Sequence, residues 1–326
     1  MPTAFHATQS ELYKAPPGHL LLQLASLRTA AFTCEADPRA SFYLYIPSSH
    51  PISRKAQGED TDGRGTKAFP LVVLAHGSGR DAEQLRNRWS DEAEKEGFVV
   101  LAPLFPCDMK FPDGTDNYKK ISWQSASGVV RYDRLLLNMI DTVARDWKYV
   151  RTDKFSLAGY SGGGQFAHRF FYLHPDRVSC VSIGAPGNAT PLRSGTWPSG
   201  ITDAASIFGR PIDPKVLSRI PIQLVVGDED KYHPIGTEGT PAPLSRLEVL
   251  LDLAKSYDQA GLEYELVVKT GVRHEEVKVM SDVQAFVSKH LRSTDGQSNG
   301  HHVFKPRGKA DRLGVEDVCT GVSTMA

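Results

Sequence analysis

Residues 156–170 read SLAGYSGGGQFAHRF, and this stretch places Ser161 between glycines at the junction of two different apolar patterns. The apolar run that ends at Ala158 has the length of a strand. After the glycines, Phe166 and Phe170 are spaced as on one face of a helix. The sequence therefore predicts a strand, a sharp turn at Ser161 and a helix, which is the context in which the pattern G-x-S-x-G becomes informative.

The glycines are explained by steric crowding at this turn. A serine on a sharp strand-to-helix turn takes a strained backbone conformation, and the two elements approach so closely that side chains at Gly159 and Gly163 would clash. The turn lifts the Ser161 hydroxyl above the sheet and leaves the Gly162 amide at the positive end of the helix, where it can stabilise an oxyanion. We interpret Ser161 as a nucleophile; the alternative is a glycine-rich turn with an incidental serine.

A serine hydroxyl needs a base before it can attack efficiently. His274, in VVKTGVRHEE (residues 267–276), follows the last predicted strand and precedes the last predicted helix, so it can reach over the sheet edge. We expect ordinary packing or surface roles for five other histidines: His168, His174, His290, His301 and His302.

The base in turn needs an acid that holds its tautomer. LVVGDEDKYHP (residues 224–234) offers Asp228, Glu229 and Asp230 beyond a predicted strand, between Ser161 and His274 in chain order. We favour Asp230 because it lies further into the loop, whereas Asp228 directly follows the strand and is better placed to cap the turn. The order Ser, Asp, His, each just after a strand, is the specific signal.

A second glycine turn, LAHGSGRD (residues 74–81), follows another predicted strand. Its backbone can donate a second N–H to the oxyanion, and we assign this role to Ser78, since Gly77 and Gly79 allow a close approach. His76, just before the turn, is predicted to be a structural hydrogen-bonding residue.

The wider pattern is that of an α/β protein. Continuous apolar runs of strand length alternate with helical stripes, which predicts a mostly parallel sheet with helices on both faces. An antiparallel start is expected from SLRTAAFTCEA and ASFYLYIPS, which are separated only by the turn-like DPR. The runs are FPLVVLAHG, FVVLAPL, FSLAGYS, RVSCVSIG, IPIQLVVGD and YELVVKT.

The motifs HGSG, GYSGG, GDED and GVRH, in this order, resemble those of the α/β-hydrolase superfamily over residues 35–291. Residues 159–187, GYSGGGQFAHRFFYLHPDRVSCVSIGAPG, are similar to esterases of the polyhydroxybutyrate depolymerase and feruloyl esterase type. The resemblance implies an eight-stranded, mostly parallel sheet. It also implies a triad and a pair of oxyanion donors, which are carried over to Ser161, Asp230 and His274 and to Ser78 and Gly162, respectively.

The chain is expected to form a single domain over residues 1–292, with its catalytic core at 35–291. Two irregular stretches are candidate pocket walls: residues 104–125, and a small lid-like insertion at 187–219. Residues 293–326 are polar and Gly-rich, which predicts a flexible tail. The aromatic residues of the irregular stretches suit an aryl or medium acyl group, or else attach the loops to the core; they are Phe105, Phe111, Tyr118, Trp123, Trp197 and Phe208.

Composition narrows the function further. The 38 basic and 38 acidic residues balance, so no overall field favours nucleic acid or a membrane. No signal-peptide core or spanning segment is recognisable near the N-terminus, so a cytoplasmic location is expected. The cysteines, Cys34, Cys107, Cys180 and Cys319, lack metal-ligand spacing and are predicted to be free thiols, with a Cys107–Cys180 disulfide as the alternative.

These residues predict a serine esterase that cleaves a small-molecule ester through an acyl-enzyme, with no cofactor and no metal. A serine peptidase, an amidase or an acyltransferase would use the same residues and remains an alternative. A catalytically inactive hydrolase-fold binding protein is the third possibility, although such proteins usually lose the serine or the histidine.

Overall fold

The computed structural model describes residues 28–56, 67–106, 117–125, 128–231 and 245–296. The strands are β1 (Phe32–Thr33), β2 (Ser41–Tyr45), β3 (Phe69–Ala75), β4 (Val99–Leu104), β5 (Ser122–Ser125), β6 (Gly128–Arg131), β7 (Val150–Tyr160), β8 (Val178–Gly184), β9 (Ile222–Gly227) and β10 (Glu265–Lys269). The helices are α1 (Pro51–Ala56), α2 (Ala82–Arg88), α3 (Ser90–Glu96), α4 (Tyr132–Asp146), α5 (Gly162–Leu173), α6 (Ala204–Phe208), α7 (Pro214–Leu217), α8 (Arg246–Ala260) and α9 (Glu276–Gly296). Short 3-10 helices span Tyr118–Lys120 and Pro175–Arg177.

The main sheet has eight strands in the order β1-β2-β4-β3-β7-β8-β9-β10. All its neighbours run parallel except at the start, where β2 pairs antiparallel with both β1 and β4. The expected eight-stranded, mostly parallel sheet with an antiparallel start is therefore confirmed, and all the apolar runs form strands in it. The carboxyl ends of the parallel strands share one edge of the sheet, which is where ligand sites form in such folds.

Both faces of the sheet are covered, which explains the continuous apolar runs. On β3, Leu71 and Val73 point into one buried cluster with α4, α5 and α8, while Val72 and Leu74 point into the other with α2, α3 and α9. From Pro70 to Ala75, every side chain of β3 is thus buried. Each fully buried valine or leucine contributes about 1.5–3 kcal/mol relative to an exposed one.

In the sequence, Leu85, Trp89 and Ala93 fall at four-residue steps, which predicts one helix before Gly97. The structure has two helices over these residues. Trp89 ends α2 and begins α3, and it is 2% exposed. A break at a buried residue leaves both halves with their apolar faces on the same side, so periodicity alone does not reveal it. Gly97 then ends α3 in the left-handed conformation, with φ of 71°.

The irregular stretches acquire local structure of their own. The first stretch, residues 104–125, ends in β5, which pairs antiparallel with β6, and the segment 187–219 contains α6 and α7. Helix α9 continues to Gly296, beyond the expected start of the tail at 293. Residues 297–326 lie outside the described chain.

Within the described ranges, no helix is long and apolar enough to cross a membrane. Cys34 and Cys180 are buried free thiols. Cys107 and Cys319 lie outside the described residues, so the disulfide alternative involves one partner that is not described.

Candidate active site

Ser161 forms the turn between β7 and α5, at the carboxyl edge of the sheet. Its backbone is strained, with φ of 57° and ψ of −116°, and its N–H donates to the Gly184 carbonyl at 2.8 Å. Such a conformation costs about 1–3 kcal/mol in a residue with a side chain. The surrounding structure sustains that cost, and the hydroxyl stands at the start of a helix.

The glycines next to Ser161 allow backbone segments to meet. A Cβ at Gly163 would overlap the carbonyl oxygen of Ala75 on β3, and a Cβ at Gly159 would overlap the carbonyl of Gly163. Helix α5 therefore lies directly against β3 and β7. The crowding expected from the sequence is present at both positions.

We expect Gly163→Ala to destabilise the protein by about 2–4 kcal/mol or to prevent folding, since backbone cannot yield as a side chain can. The matched control is Gly79→Ala, where a Cβ meets nothing within 4 Å. Urea denaturation monitored by circular dichroism measures both changes. Equal stability of the two variants would contradict the crowding argument.

Asp230 and His274 are joined at the same edge. His274 Nδ1 lies 2.7 Å from Asp230 Oδ2, and the Asp230 side chain is fully buried while that of His274 is 32% exposed. A buried carboxylate that accepts from Nδ1–H leaves Nε2 of the imidazole free of the proton. This is the tautomer that can remove a proton from a hydroxyl.

His274 also lies beside the serine turn. Its ring centroid is 5.0 Å from that of Tyr160, the residue before Ser161. The turn after β9 and the histidine loop are in close contact as well, because a Cβ at Gly227 would overlap the carbonyl of Val272. Ser161, Asp230 and His274 thus come from three turns that meet at one edge.

Asp228 has a different partner. Its Oδ1 accepts a hydrogen bond of 2.8 Å from the backbone N–H of Gly271, and the Asp228 N–H donates to the Lys269 carbonyl. Asp228 therefore braces the turn after β10, a different turn from the one after β9 that its sequence position suggested. The carboxylate that bonds to His274 is therefore that of Asp230.

The backbone of Ser78 approaches Gly162 from the turn after β3. A Cβ at Gly162 would lie 3.2 Å from the Ser78 nitrogen and 2.9 Å from Cε of Lys119, and it would overlap the Tyr118 hydroxyl. The two backbone nitrogens expected to receive an oxyanion are therefore neighbours. The space above them is bounded by the 3-10 helix, which leaves no room for a side chain at Gly162.

His76 is a structural residue of this edge. It is fully buried, its Nδ1 lies 2.7 Å from the Gly77 carbonyl, and its Nε2 accepts from the Phe105 N–H at 3.3 Å. Burial lowers the pKa of His76 to about 4, so it stays neutral at physiological pH. Its ring fixes the turn that carries Ser78.

The other histidines have ordinary roles where they are described. His168 is buried in α5, with Nδ1 2.8 Å from the Gly164 carbonyl and Nε2 accepting from the Thr190 N–H. His174 pairs with the buried Asp133 at 2.8 Å. His290 is buried in α9, and His301 and His302 lie outside the described chain.

Most of the aromatic residues considered for a pocket attach the loops to the core. Phe105 and Tyr118 are 0% and 1% exposed and stack at 5.4 Å. Trp197 packs edge-on against Phe208 and donates its Nε1–H to the Lys120 carbonyl at 2.9 Å. Phe111 is outside the described residues. The Tyr118 hydroxyl lies beside Gly162 and donates to the His76 carbonyl at 3.0 Å, and Trp123 packs against the core.

Two arginines contact residues of the candidate site, and no pattern in the sequence indicates their role. Arg246 Nη1 donates to Asp230 Oδ1 at 2.9 Å. Arg88 bridges Asp81, which follows the Ser78 turn, and Glu276, which follows His274, at 2.9 Å each. The capping box formed by Ser245 and Glu248 marks the start of α8 in the sequence, but nothing there indicates what Arg246 contacts.

Glu276 should make stability depend on pH. Burial, with a smaller contribution from Asp81, raises its pKa from 4.5 to about 7, while Arg88 opposes the shift. A raised carboxyl pKa gives a stabilising contribution that is fully present below pH 4.5 and lost as pH rises through about 7. We expect the melting temperature of the wild type to fall relative to that of Glu276→Gln between pH 4.5 and 8. A constant difference would show that Glu276 titrates normally.

No cluster of His, Cys, Asp or Glu suited to a metal ion occurs among the described residues. The polar groups at the sheet edge are those of acid–base and nucleophilic chemistry. They comprise a strained serine, an imidazole on a buried carboxylate and two neighbouring backbone amides.

No protein-family model matches the chain, and no curated protein matches it in sequence. Among solved structures, a poly(3-hydroxybutyrate) depolymerase from Bordetella parapertussis is 21% identical with a TM-score of 0.58, covering 90% of this chain and 95% of its own. Poly(aspartic acid) hydrolase-1 from Sphingomonas sp. KT-1 is 21% identical with a TM-score of 0.57, covering 76% and 93%. A ferulic acid esterase is 15% identical with a TM-score of 0.51, covering 78% and 92%.

These similarities extend over most of each solved chain. They confirm the resemblance drawn from the motifs of the sequence, at the level of fold. With Ser161 at the turn after β7 and Asp230 and His274 at the following strand ends, this chain has the α/β-hydrolase fold, like the poly(3-hydroxybutyrate) depolymerase and ferulic acid esterase structures.

Proposed function

We propose that the protein is a serine hydrolase that cleaves carboxylic esters through an acyl-enzyme intermediate. The observation that carries the proposal is the 2.7 Å bond between the buried Asp230 and His274, next to a strained Ser161. A serine with a positive φ costs stability, and such strain persists where function requires it.

In the proposed mechanism Ser161 Oγ attacks the ester carbonyl while His274 Nε2 takes its proton. The oxyanion that forms accepts from the N–H groups of Ser78 and Gly162, and Asp230 stabilises the imidazolium. Collapse breaks the bond to the alcohol, which leaves with the proton from His274. Water then attacks the carbonyl of the acyl-enzyme while His274 takes its proton. The bond between Ser161 Oγ and the acyl group breaks, the carboxylic acid leaves, and His274 returns the proton to Ser161.

We propose a small-molecule ester as substrate, with a small, aryl or medium acyl group, and neither cofactor nor metal. The fold that this chain shares with the ferulic acid esterase structure supports an ester as substrate. We place the protein in the cytoplasm, with residues 1–292 as the catalytic domain and 187–219 as a lid-like insertion.

Activity of the purified protein on a panel of substrates tests this function. The panel comprises p-nitrophenyl esters of increasing acyl length, aryl esters, thioesters, lactones and peptide amides. We expect kcat/KM to be highest for a simple ester. Faster cleavage of a peptide amide would favour a peptidase or amidase, and turnover of no substrate, with no labelling of Ser161, would favour a binding protein.

A further inference from the structure

Asp230 is held by more than His274. Its Oδ1 accepts from Arg246 Nη1 at 2.9 Å, and its backbone carbonyl accepts from the Arg246 N–H at 3.2 Å. The two side chains are 0% and 13% exposed. Arg246 therefore contacts Asp230 through both its backbone and its guanidinium, in a setting where water competes little.

Arg246 is itself firmly placed. It is the first residue of α8, whose N-cap Ser245 accepts from the Glu248 N–H while the Glu248 side chain accepts from the Ser245 N–H. Such a capping box stabilises the first turn of a helix. The guanidinium thus projects from a rigid element onto the carboxylate, so it can select one rotamer of Asp230.

We propose that Arg246 is a positioning residue for the Asp230–His274 pair; this inference rests on the proposed hydrolase function. Two effects follow from one contact. Arg246 fixes Oδ2 of Asp230 in the plane where it accepts from His274 Nδ1–H. Its positive charge also acts on the carboxylate that faces the imidazole, so removal of Arg246 changes the electrostatic field at the base.

Other charged and titratable groups surround the imidazole and stay unchanged in the test. Tyr160 lies against it from β7, with a pKa raised by burial and by the Asp230 charge. Glu276 and its partner Arg88 lie on the α9 and α2 sides. On the histidine turn itself, Arg273 pairs with Glu229 and Glu275 pairs with Lys278.

The test compares Arg246→Met, which removes the positive charge, with Arg246→Lys, which keeps the charge but replaces the planar guanidinium with a compact ammonium group. The control is Arg193→Met, because Arg193 makes an exposed bidentate pair with Asp252, which lies in α8 like Arg246. For each variant, kcat and KM for a simple ester are measured from pH 5 to 9, together with the rate of fluorophosphonate labelling.

We expect Arg246→Met to lower kcat and the labelling rate by roughly tenfold or more, with KM within about twofold. The acidic midpoint of its kcat/KM profile should rise by about half a pH unit or more, since a cation near the base has been lost. Arg246→Lys should keep the wild-type midpoint and recover part of kcat. Arg193→Met should match the wild type.

A purely structural role for Arg246 would lower thermal stability without moving the midpoint, and this result would overturn the proposal. So would an Arg246→Met enzyme with wild-type kcat and midpoint. Should Arg246→Met fail to fold because Asp230 is left as a buried, poorly paired carboxylate, Arg246→Met combined with Asp230→Asn removes both charges. That double variant should then match Asp230→Asn in kcat, and a further tenfold loss would refute the inference.

These outcomes are separable from failure of the proposed function. A wild-type protein without ester hydrolysis and without labelling at Ser161 would overturn the hydrolase itself. An active wild type that is indifferent to Arg246 would overturn only the positioning role.

Discussion

Replacing Ser161 with alanine should lower kcat/KM for a simple ester by roughly ten-thousandfold or more and abolish labelling by a fluorophosphonate probe. The physical reason is that the remaining groups can bind the ester and polarise its carbonyl but have no atom to form the acyl bond. Because Ser161 has a positive φ, the alanine side chain takes over the same strain and the fold should survive. Circular dichroism and melting temperature verify this.

Ser78→Ala is the matched control at the same sheet edge. Ser78 is exposed and its proposed role uses only the backbone N–H, which alanine retains. Its kcat/KM should stay within about threefold of the wild type, a loss well below one tenfold step of transition-state stabilisation. Labelling that persists in Ser161→Ala would refute the assignment of the nucleophile.

Asp230→Asn should preserve the fold yet reduce kcat by roughly a hundredfold or more. An amide oxygen can still accept from Nδ1–H, but the amide N–H group can also donate to the ring and favour the wrong tautomer, and the charge that stabilises the imidazolium is lost. Steady-state kinetics at pH 8 measures the change.

Asp228→Asn supplies the comparison two residues away. Its amide oxygen can still accept from the Gly271 N–H, so kcat should stay within about threefold and any loss should be in stability. A crippled Asp228→Asn beside a normal Asp230→Asn would move the acid to Asp228.

Combining Asp230→Asn with His274→Ala tests whether the two residues act as a unit. Members of a catalytic unit are strongly non-additive, so the double variant should be little slower than His274→Ala alone. Additive losses would show that Asp230 acts on something other than His274.

Much of the fold was predictable because it depends on short-range chemistry. Continuous apolar runs such as that at Leu71 to Ala75 identify strands that are covered on both faces. The glycines around Ser161 identify a turn where backbone segments meet, and the structure finds that crowding at Ala75 and Gly163. Each signal lies within a dozen residues of the chain, and a sequence records such signals directly.

Periodicity was less informative where two structures satisfy it equally. The stripe through Trp89 fits one helix or two, since both bury the same face. Aromatic residues in irregular stretches fit a pocket or the core, and Phe105 and Tyr118 prove to be core residues. Composition identifies what a side chain can do, whereas burial depends on what the rest of the chain places over it.

The sequence by itself determined the strand-to-helix turn at Ser161, the order of its candidate partners and the parallel sheet whose carboxyl edge brings them together. Only the tertiary structure decided that Asp230 meets His274 while Asp228 braces Gly271, because a shift of two residues in a turn reverses which carboxylate faces the ring. It alone placed Arg246 on Asp230, and Arg88 between Asp81 and Glu276. Such contacts join residues whose separation in space is set by strand order and helix docking, and no local pattern of residue types encodes that distance.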